Sequence, residues 1–231
     1  MKLDRVIARH RSLGRSEAHR LIAAGRVRLA GCVCTSNQEE VDRFMQVELE
    51  DEVVQQAERA LYLILHKPPG AVSATRDAEH RTVIDLIDDP DRHTLHIAGR
   101  LDRWTTGLLL LTNDGRWSKG LMYAASKVAK TYLVEVDADI PPEAVELFAR
   151  GMEFRPENIV TLPAELTLLG PRRARVILHE GRHHQIKRMF GRVGCLVTAL
   201  HREAVGGLHL PADLSPGLWR ALTVEEKRLV Q

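Results

Sequence analysis

At 231 residues, with 44% hydrophobic and 28% charged side chains, the chain can build one large domain or a large and a small one, each with its own core. No run approaches the roughly 18 consecutive apolar residues of a membrane span, and Met1–Arg5 leads into no signal-peptide core, so a cytoplasmic protein without a membrane partner is expected. The net charge of +2 conceals segregation, because residues 1–30 hold eight Lys/Arg against Asp4 and Glu17 whereas residues 31–60 hold eight Asp/Glu against Arg43 and Arg59. A second basic block, 172–192, sets seven Lys/Arg and three histidines against Glu180. Two such blocks favour a polyanionic partner, most simply nucleic acid. Cys32, Cys34 and Cys195 are an odd number, and Cys32-x-Cys34 lacks a second pair at zinc spacing, so neither a disulfide scaffold nor a structural zinc is expected.

Leu3, Val6 and Ile7 have helical spacing, as do Ala18, Leu21 and Ile22 in a second helix from about Arg15 that Gly25 stops. Arg26–Leu29, the turn Ala30-Gly31 and Cys32–Cys34 read as a tight hairpin. Arg5, Arg9, Arg11, Arg15 and Arg20 largely avoid the apolar positions of the helices. Leu3-Asp4-Arg5, Arg15-Ser16-Glu17-Ala18, Leu21-Ile22 and Gly25-Arg26-Val27 resemble the S4-like RNA-binding domain. That resemblance implies that Arg5, Arg9, Arg15, Arg20 and Arg26 meet structured RNA. The acidic stretch from Glu39 to Glu58 ends in Gln55–Arg59, read as a linker, and the domains are placed at 1–57 and 58–231.

From Ala60 onward, β-rich runs alternate with shorter helical ones. Leu61–Leu65 is a buried strand ended by Lys67-Pro68-Pro69-Gly70, Thr82–Ile87 has helical spacing, and Leu95–Ala98 leads into a polar loop. Leu108–Thr112 is a strand closed by a turn at Asn113-Asp114-Gly115, and Tyr132, Val134 and Val136 alternate as a strand should. Pro141 and Pro142 open a helix through Phe148 that Gly151 stops. Ala164–Leu169, Ala174–Leu178 and Leu196–Leu200 are strands, with a helix from about Gln185 to Arg192, and Thr223-Val224-Glu225-Glu226 is a capping box. Without a strict βαβ rhythm, the larger domain is expected to be α+β, with a mainly antiparallel or mixed sheet flanked by helices.

The cradles for ATP and dinucleotides are missing. His179-Glu180-Gly181-Arg182-His183 matches a zinc-protease pattern, with Glu203 downstream as a conceivable third ligand. That chemistry needs the pentapeptide on a helix. Here a strand leads in, Gly181 weakens a helix, and Arg182, Lys187 and Arg188 oppose a cation, so no metal is expected.

The polar loop Gly99-Arg100-Leu101-Asp102-Arg103-Trp104-Thr105-Thr106-Gly107 sets a carboxylate between two arginines at the rim of a sheet, which suits either a nucleophile or an ordinary turn aspartate. In the basic helix, Ile186, Met189 and Phe190 share a buried face and leave Lys187 and Arg188 free to face a cleft. Gly99–Asp102 with Thr105–Gly107, Lys130-Thr131-Tyr132 and Gly181-Arg182-x-His184-Gln185-Ile186-Lys187 resemble the motifs of the pseudouridine synthases. Together with the Lys67–Gly70 turn and the S4-like start, they resemble the RsuA branch in particular.

The resemblance implies an isomerase that needs no cofactor. Asp102 would be the nucleophile that enables cleavage of the uridine C1′–N1 bond, by attack on the sugar, attack on C6 or a glycal route. Tyr132 would pack on the base, Lys187 would pair with and orient the carboxylate, Leu178 would pack near the base, and Arg100 would contact RNA around the flipped nucleotide. Lys67, Arg182, Gln185 and Arg188 are further expected substrate contacts. The implied partner is 16S rRNA, at a site of the uridine 516 type, free or in an assembling small-subunit particle, bound by a monomer. The lack of a basic tail after Lys227-Arg228-Leu229-Val230 favours the small subunit. A 23S rRNA synthase and a non-catalytic S4-type RNA-binding protein are the alternatives. Asp102 and Lys187 lie 85 positions apart, so the reading requires a fold that brings them together.

Overall fold

The computed structural model describes residues 1–10, 12–122 and 128–230 and divides the chain into two compact units, Met1–Ala60 and Leu61–Gln231. In the first, helices α1 (Leu3–His10) and α2 (Arg15–Ala23) cover a sheet of β1 (Val27–Leu29), β2 (Cys32–Cys34), β3 (Val47–Leu49) and β4 (Glu52–Gln55), in the order β2-β1-β3-β4 with every pairing antiparallel. Leu3, Ile7, Ala18, Ile22, Val27, Val47 and Leu49 form the core. Asp4 is buried among them and accepts hydrogen bonds from Arg15 and His19. Burial pushes its pKa up, but these bonds outweigh burial and hold it below the ordinary value.

The acidic stretch is structured up to Gln55. It supplies Val41 and the β3–β4 hairpin to the first core, and only residues after Gln55 connect. Its apolar residues, Val47 and Leu49, alternate with Glu48, so charge on the outer face masks a half-buried strand. The Glu58 N–H donates to the Arg43 carbonyl at 2.8 Å, which ties the chain to the first unit beyond residue 57 and moves the boundary to Ala60.

The second unit is built on a nine-stranded sheet. Its strands in chain order are β5 (Tyr62–Lys67), β6 (His96–Ala98) and β7 (Thr106–Thr112), then β8 (Lys130–Val136), with the separate ribbon β9 (Glu153–Phe154) and β10 (Ile159–Val160). There follow β11 (Glu165–Gly170), β12 (Arg173–Leu178), β13 (Val197–Val205), β14 (Leu208–His209) and β15 (Trp219–Ala221). The path β11-β12-β8-β13-β7-β5-β15 carries β6 on β7 and β14 on β13, and only β13–β7 is parallel. The α+β expectation holds in the form of a mixed, mostly antiparallel sheet.

Both faces of this sheet are covered, which explains the unbroken Leu108–Leu111 run. Leu109 and Leu111 enter the core that includes Phe148 of α4 (Ala144–Arg150) and Met189 and Phe190 of α5 (Gln185–Arg192). Leu108 and Leu110 face the opposite core, with Trp117 and Leu121 of α3 (Gly115–Met122). The capping box opens α6 (Val224–Arg228) through reciprocal bonds between Thr223 and Glu226.

Three local expectations change. Asn113-Asp114-Gly115 leads straight into α3 where a turn is expected, because the Asp114 carboxylate accepts from the N–H groups of Arg116 and Trp117 and Asn113 accepts from the Leu61 N–H. Thr82–Ile87 contains only a 3-10 turn at Ile84–Leu86, closed by mutual bonds between Thr82 and Asp85 before Ile87 becomes extended. The strand expected to stop at Leu200 runs to Val205, since pairing with β8 and β7 absorbs the polar His201-Arg202-Glu203 that interrupts its apolar pattern.

The parallel β7–β13 contact depends on Gly107, which has φ +108° and on which a Cβ would overlap the backbone of Arg202. Gly107→Ala is therefore expected to destabilise the second unit by more than about 1 kcal/mol. Urea unfolding of the variant checks this, and an unchanged midpoint would contradict it.

Candidate active site

Asp102 lies on the connection from β6 to β7, and the surrounding backbone is held from several sides. Ser73 donates to the Leu101 carbonyl at 2.7 Å and accepts from the Leu101 N–H at 3.1 Å. The wholly buried Lys67 ammonium donates to the carbonyls of Pro68, Arg103 and Thr105 at 2.9–3.1 Å. The equally buried Arg202 guanidinium donates to the Leu108 carbonyl at 2.7 Å and reaches the Arg100 carbonyl at 3.5 Å. These contacts fix the backbone that carries Asp102, which is what a pre-organised site needs.

Helix α5 supplies the partner. Its buried Ile186, Met189 and Phe190 turn Lys187 toward the loop, where Nζ donates to Asp102 Oδ2 at 2.8 Å. His184 Nε2 stands 3.4 Å from Oδ1, so both oxygens face a nitrogen. His184 has φ +52°, left-handed backbone that is uncommon for a non-glycine residue, and its ring stacks on His183 at 3.8 Å. Such backbone persists where its surroundings over-determine it, as they do at the start of a packed helix.

The pair lies in a cleft of about 680 Å³ lined by Arg100, Tyr132, Leu178, Arg182 and Lys187. Tyr132 on β8 is nearly buried, opposite Val176 of β12 and Arg202 of β13. Leu178 ends β12 against Lys130. Burial lowers the pKa of Lys130, and the Arg202 charge adds to that effect. The cleft thus joins one aimed carboxylate, an aromatic and apolar wall and an excess of cations.

The expected contacts divide. Arg100 is exposed at the rim, and Arg182 lines the cleft with Nε on Glu180 at 2.8 Å. Lys67 has no exposed surface, so it supports the loop instead of meeting substrate. Gln185 is buried, with its amide donating to Glu180 and its oxygen accepting from the Arg182 N–H, which spends both polar ends on the turn before α5. Arg188 points elsewhere: it makes two bonds to Glu157 and lies 3.6 Å from the Phe154 ring centre. Consecutive residues on a helix diverge by about 100°, so Lys187 and Arg188 cannot both face the cleft.

The pentapeptide His179–His183 lies between β12 and α5 without being helical, so its imidazoles share no helix face, and Glu203 is bonded to Arg175. Arg202 lies beyond the strand end expected at Leu200; the signal that marks it is an arginine alternating with the apolar Leu200 and Ala204. In the first unit Arg5, Arg9, Arg15, Arg20 and Arg26 are all exposed, with Arg15 bonded to Asp4, Arg20 to Glu17 and Arg26 paired with Glu50. Arg11 lies outside the described residues.

The fold and cleft suit an enzyme acting on a flat, extruded ring in a polyanion, and comparison with known proteins narrows the class. The family described as RNA pseudouridylate synthase matches residues 61–191. Ribosomal small subunit pseudouridine synthase A of Pseudomonas aeruginosa is 50% identical over 226 residues, covering 98% of both chains. The protein of the same name from Escherichia coli is 39% identical over 226 residues, again covering 98% of both. A solved structure described as a pseudouridylate synthase superposes with a TM-score of 0.73 at 35% identity, over 100% of both chains. The chain belongs to the RNA pseudouridylate synthase family, whose members are isomerases of RNA uridine. Among the described residues, no helix is long and apolar enough to cross a membrane.

Lys67 links loop geometry to pH. Burial lowers its pKa to about 8, against the pull of the Asp102 charge, from an ordinary 10.5. Between those values the unfolded chain binds more protons than the folded one, so this group's contribution to stability rises with pH. Over the same window the neutral amine has only two N–H donors for three carbonyls. The expected outcome is a fall in kcat with an apparent pKa of about 8 without unfolding, and a slower Lys67→Met variant that lacks this limb. The same limb persisting in Lys67→Met would assign it to another group.

Proposed function

We propose that this chain converts one uridine of 16S rRNA, at the uridine 516 type site, to pseudouridine with Asp102 as nucleophile. The observation that carries the reading is the 2.8 Å pair between Asp102 and Lys187 in a cleft walled by Tyr132 and Leu178. Isomerisation breaks the C1′–N1 bond, turns the base and joins C1′ to C5, with the C5 proton lost and N1 protonated. The chemistry is redox-neutral and takes no group from outside, so no cofactor is required. The base must leave its stack, and Tyr132 and Leu178 offer it an apolar surface while the cations face the RNA backbone.

Lys187 orients the carboxylate as a compact charge, where an arginine would offer a two-pronged grip. Tyr132 packs on the base and is placed to move a proton from the sugar or from C5. The small-subunit assignment is supported by the names of the relatives, which align along nearly the whole chain. The first unit acts as an S4-like RNA-binding domain, and the enzyme works as a cytoplasmic monomer on free 16S rRNA or an assembling particle.

Unmodified 16S and 23S rRNA treated with the enzyme, then mapped by carbodiimide and primer extension, test the reading. One modified position in 16S rRNA is expected, and Asp102→Asn should abolish it while retaining RNA binding. Full activity of that variant would remove Asp102 from the mechanism, and modification confined to 23S rRNA would overturn the substrate.

For the first unit, Arg5→Ala with Arg9→Ala should weaken rRNA binding and reduce the slope of log K against log salt by roughly 2. Binding isotherms at several salt concentrations measure it. An unchanged slope would show that these arginines touch no phosphate.

A further inference from the structure

Beside the nucleophile, the loop exposes a large aromatic side chain that has no part in the cleft. Asp102–Thr105 is a turn closed by the Thr105 N–H on the Asp102 carbonyl at 3.1 Å, and Trp104 stands at its tip with 67% of its surface exposed. The other two tryptophans have structural employment: Trp117 is buried in a core, and Trp219 donates to Asp88 at 3.0 Å. Trp104 is not among the residues lining the cleft and lies just outside it.

Its surroundings hold the indole in place. The Arg103 guanidinium lies 5.1 Å from the ring centre and is itself fixed by donation to the Gly70 carbonyl at 3.2 Å and by His80 at 2.9 Å. A Cβ placed on Gly70 would come within 3.9 Å of the Trp104 ring, so the ring lies beside the Lys67–Gly70 turn. That turn is bonded back to the loop by the Gly70 N–H on the Arg103 carbonyl at 2.9 Å. A solvent-facing indole with Arg103 beside it and Arg100 in the same loop has the composition of a stacking platform for unpaired nucleic acid: a π-face for the base and cations for the backbone.

We propose that Trp104 stacks against an unpaired nucleobase that flanks the target uridine in the substrate RNA. This rests on the reading that the chain acts on structured RNA. Extruding a uridine strips its neighbours of a stacking partner, and an aromatic ring at the rim replaces that partner. Asp102, two residues away, takes the target, so Trp104 meets a nucleotide next along the strand. Its contribution is therefore to binding and to the choice of unpaired sequence context, separate from the bond-breaking step.

The test is steady-state kinetics on a synthetic RNA spanning the mapped site, with wild type, Trp104→Ala and Trp104→Phe, and with RNAs carrying an abasic ribose at each flanking position in turn. Trp104→Ala should raise KM roughly tenfold or more, with a smaller effect on kcat, and Trp104→Phe should restore most of the loss. One abasic position should raise the wild-type KM by a similar factor and add nothing further in Trp104→Ala. An unchanged KM in Trp104→Ala would overturn the proposal, as would losses that add fully at every abasic position. So would an effect confined to RNA carrying ribosomal proteins, which would make the partner a protein. If the wild type leaves 16S rRNA unmodified, the 16S assignment fails by itself, and the same comparison on the RNA that it does modify decides the role of Trp104.

Discussion

The carbonyl oxygens around Asp102 are gripped from within by two buried cations, and the geometry of the cleft depends on that grip. Lys67 holds the carbonyls of Pro68, Arg103 and Thr105, and Arg202 holds those of Leu108 and Arg100. Among the described residues neither is paired directly with a carboxylate, and the negative charge that supports the Lys67 ammonium is Asp102 itself. Removing a cation from water is costly unless fixed dipoles replace the solvent, and the loop carbonyls are those dipoles. The loop and the cations therefore stabilise each other.

The sheet makes this arrangement possible by bringing distant segments together. Lys67 ends β5, Arg202 lies in β13, and β7 runs between those strands with Gly107 at the closest approach. Leucines on alternating faces of β7 anchor it in two cores. The loop before β7 is thus attached to the most deeply buried strand of the unit, while its tip faces the cleft. Helix α5 is fixed independently by Met189 and by Phe190 against Phe148, and it delivers Lys187 to the carboxylate.

Charge is distributed by role. Buried cations position backbone, Lys187 pairs with the Asp102 carboxylate, and exposed arginines stand at the rim and on the first unit, where Arg15, Arg20 and Arg26 meet acidic partners. Cations of the basic block have partners within the fold: Arg188 is occupied by Glu157 and Phe154, and Arg175 by Glu203. A dense basic run thus does not by itself show which of its members are held by acidic or aromatic partners within the fold.

Periodicity exposed much of the architecture, because amphipathic helices such as α1, α2 and α5 and alternating strands such as β8 carry their burial pattern in local order. It failed where polar side chains had local or tertiary partners. Asp114 caps a helix where a turn was expected, and β13 runs through His201-Arg202-Glu203 because neighbouring strands absorb them. The motif residues were legible as types at spacings, and the resemblance they carry singled out Asp102, Tyr132 and Lys187. The amino-acid order by itself determined the mixed α+β character, the segregation of basic charge and the membership of these residues in one set. Only the tertiary structure decided that Lys187 and not Arg188 meets Asp102, that Lys67 and Gln185 are internal supports, and that Arg202 holds the loop. Burial and hydrogen-bond partnership are properties of segments far apart in sequence, and no local pattern encodes them.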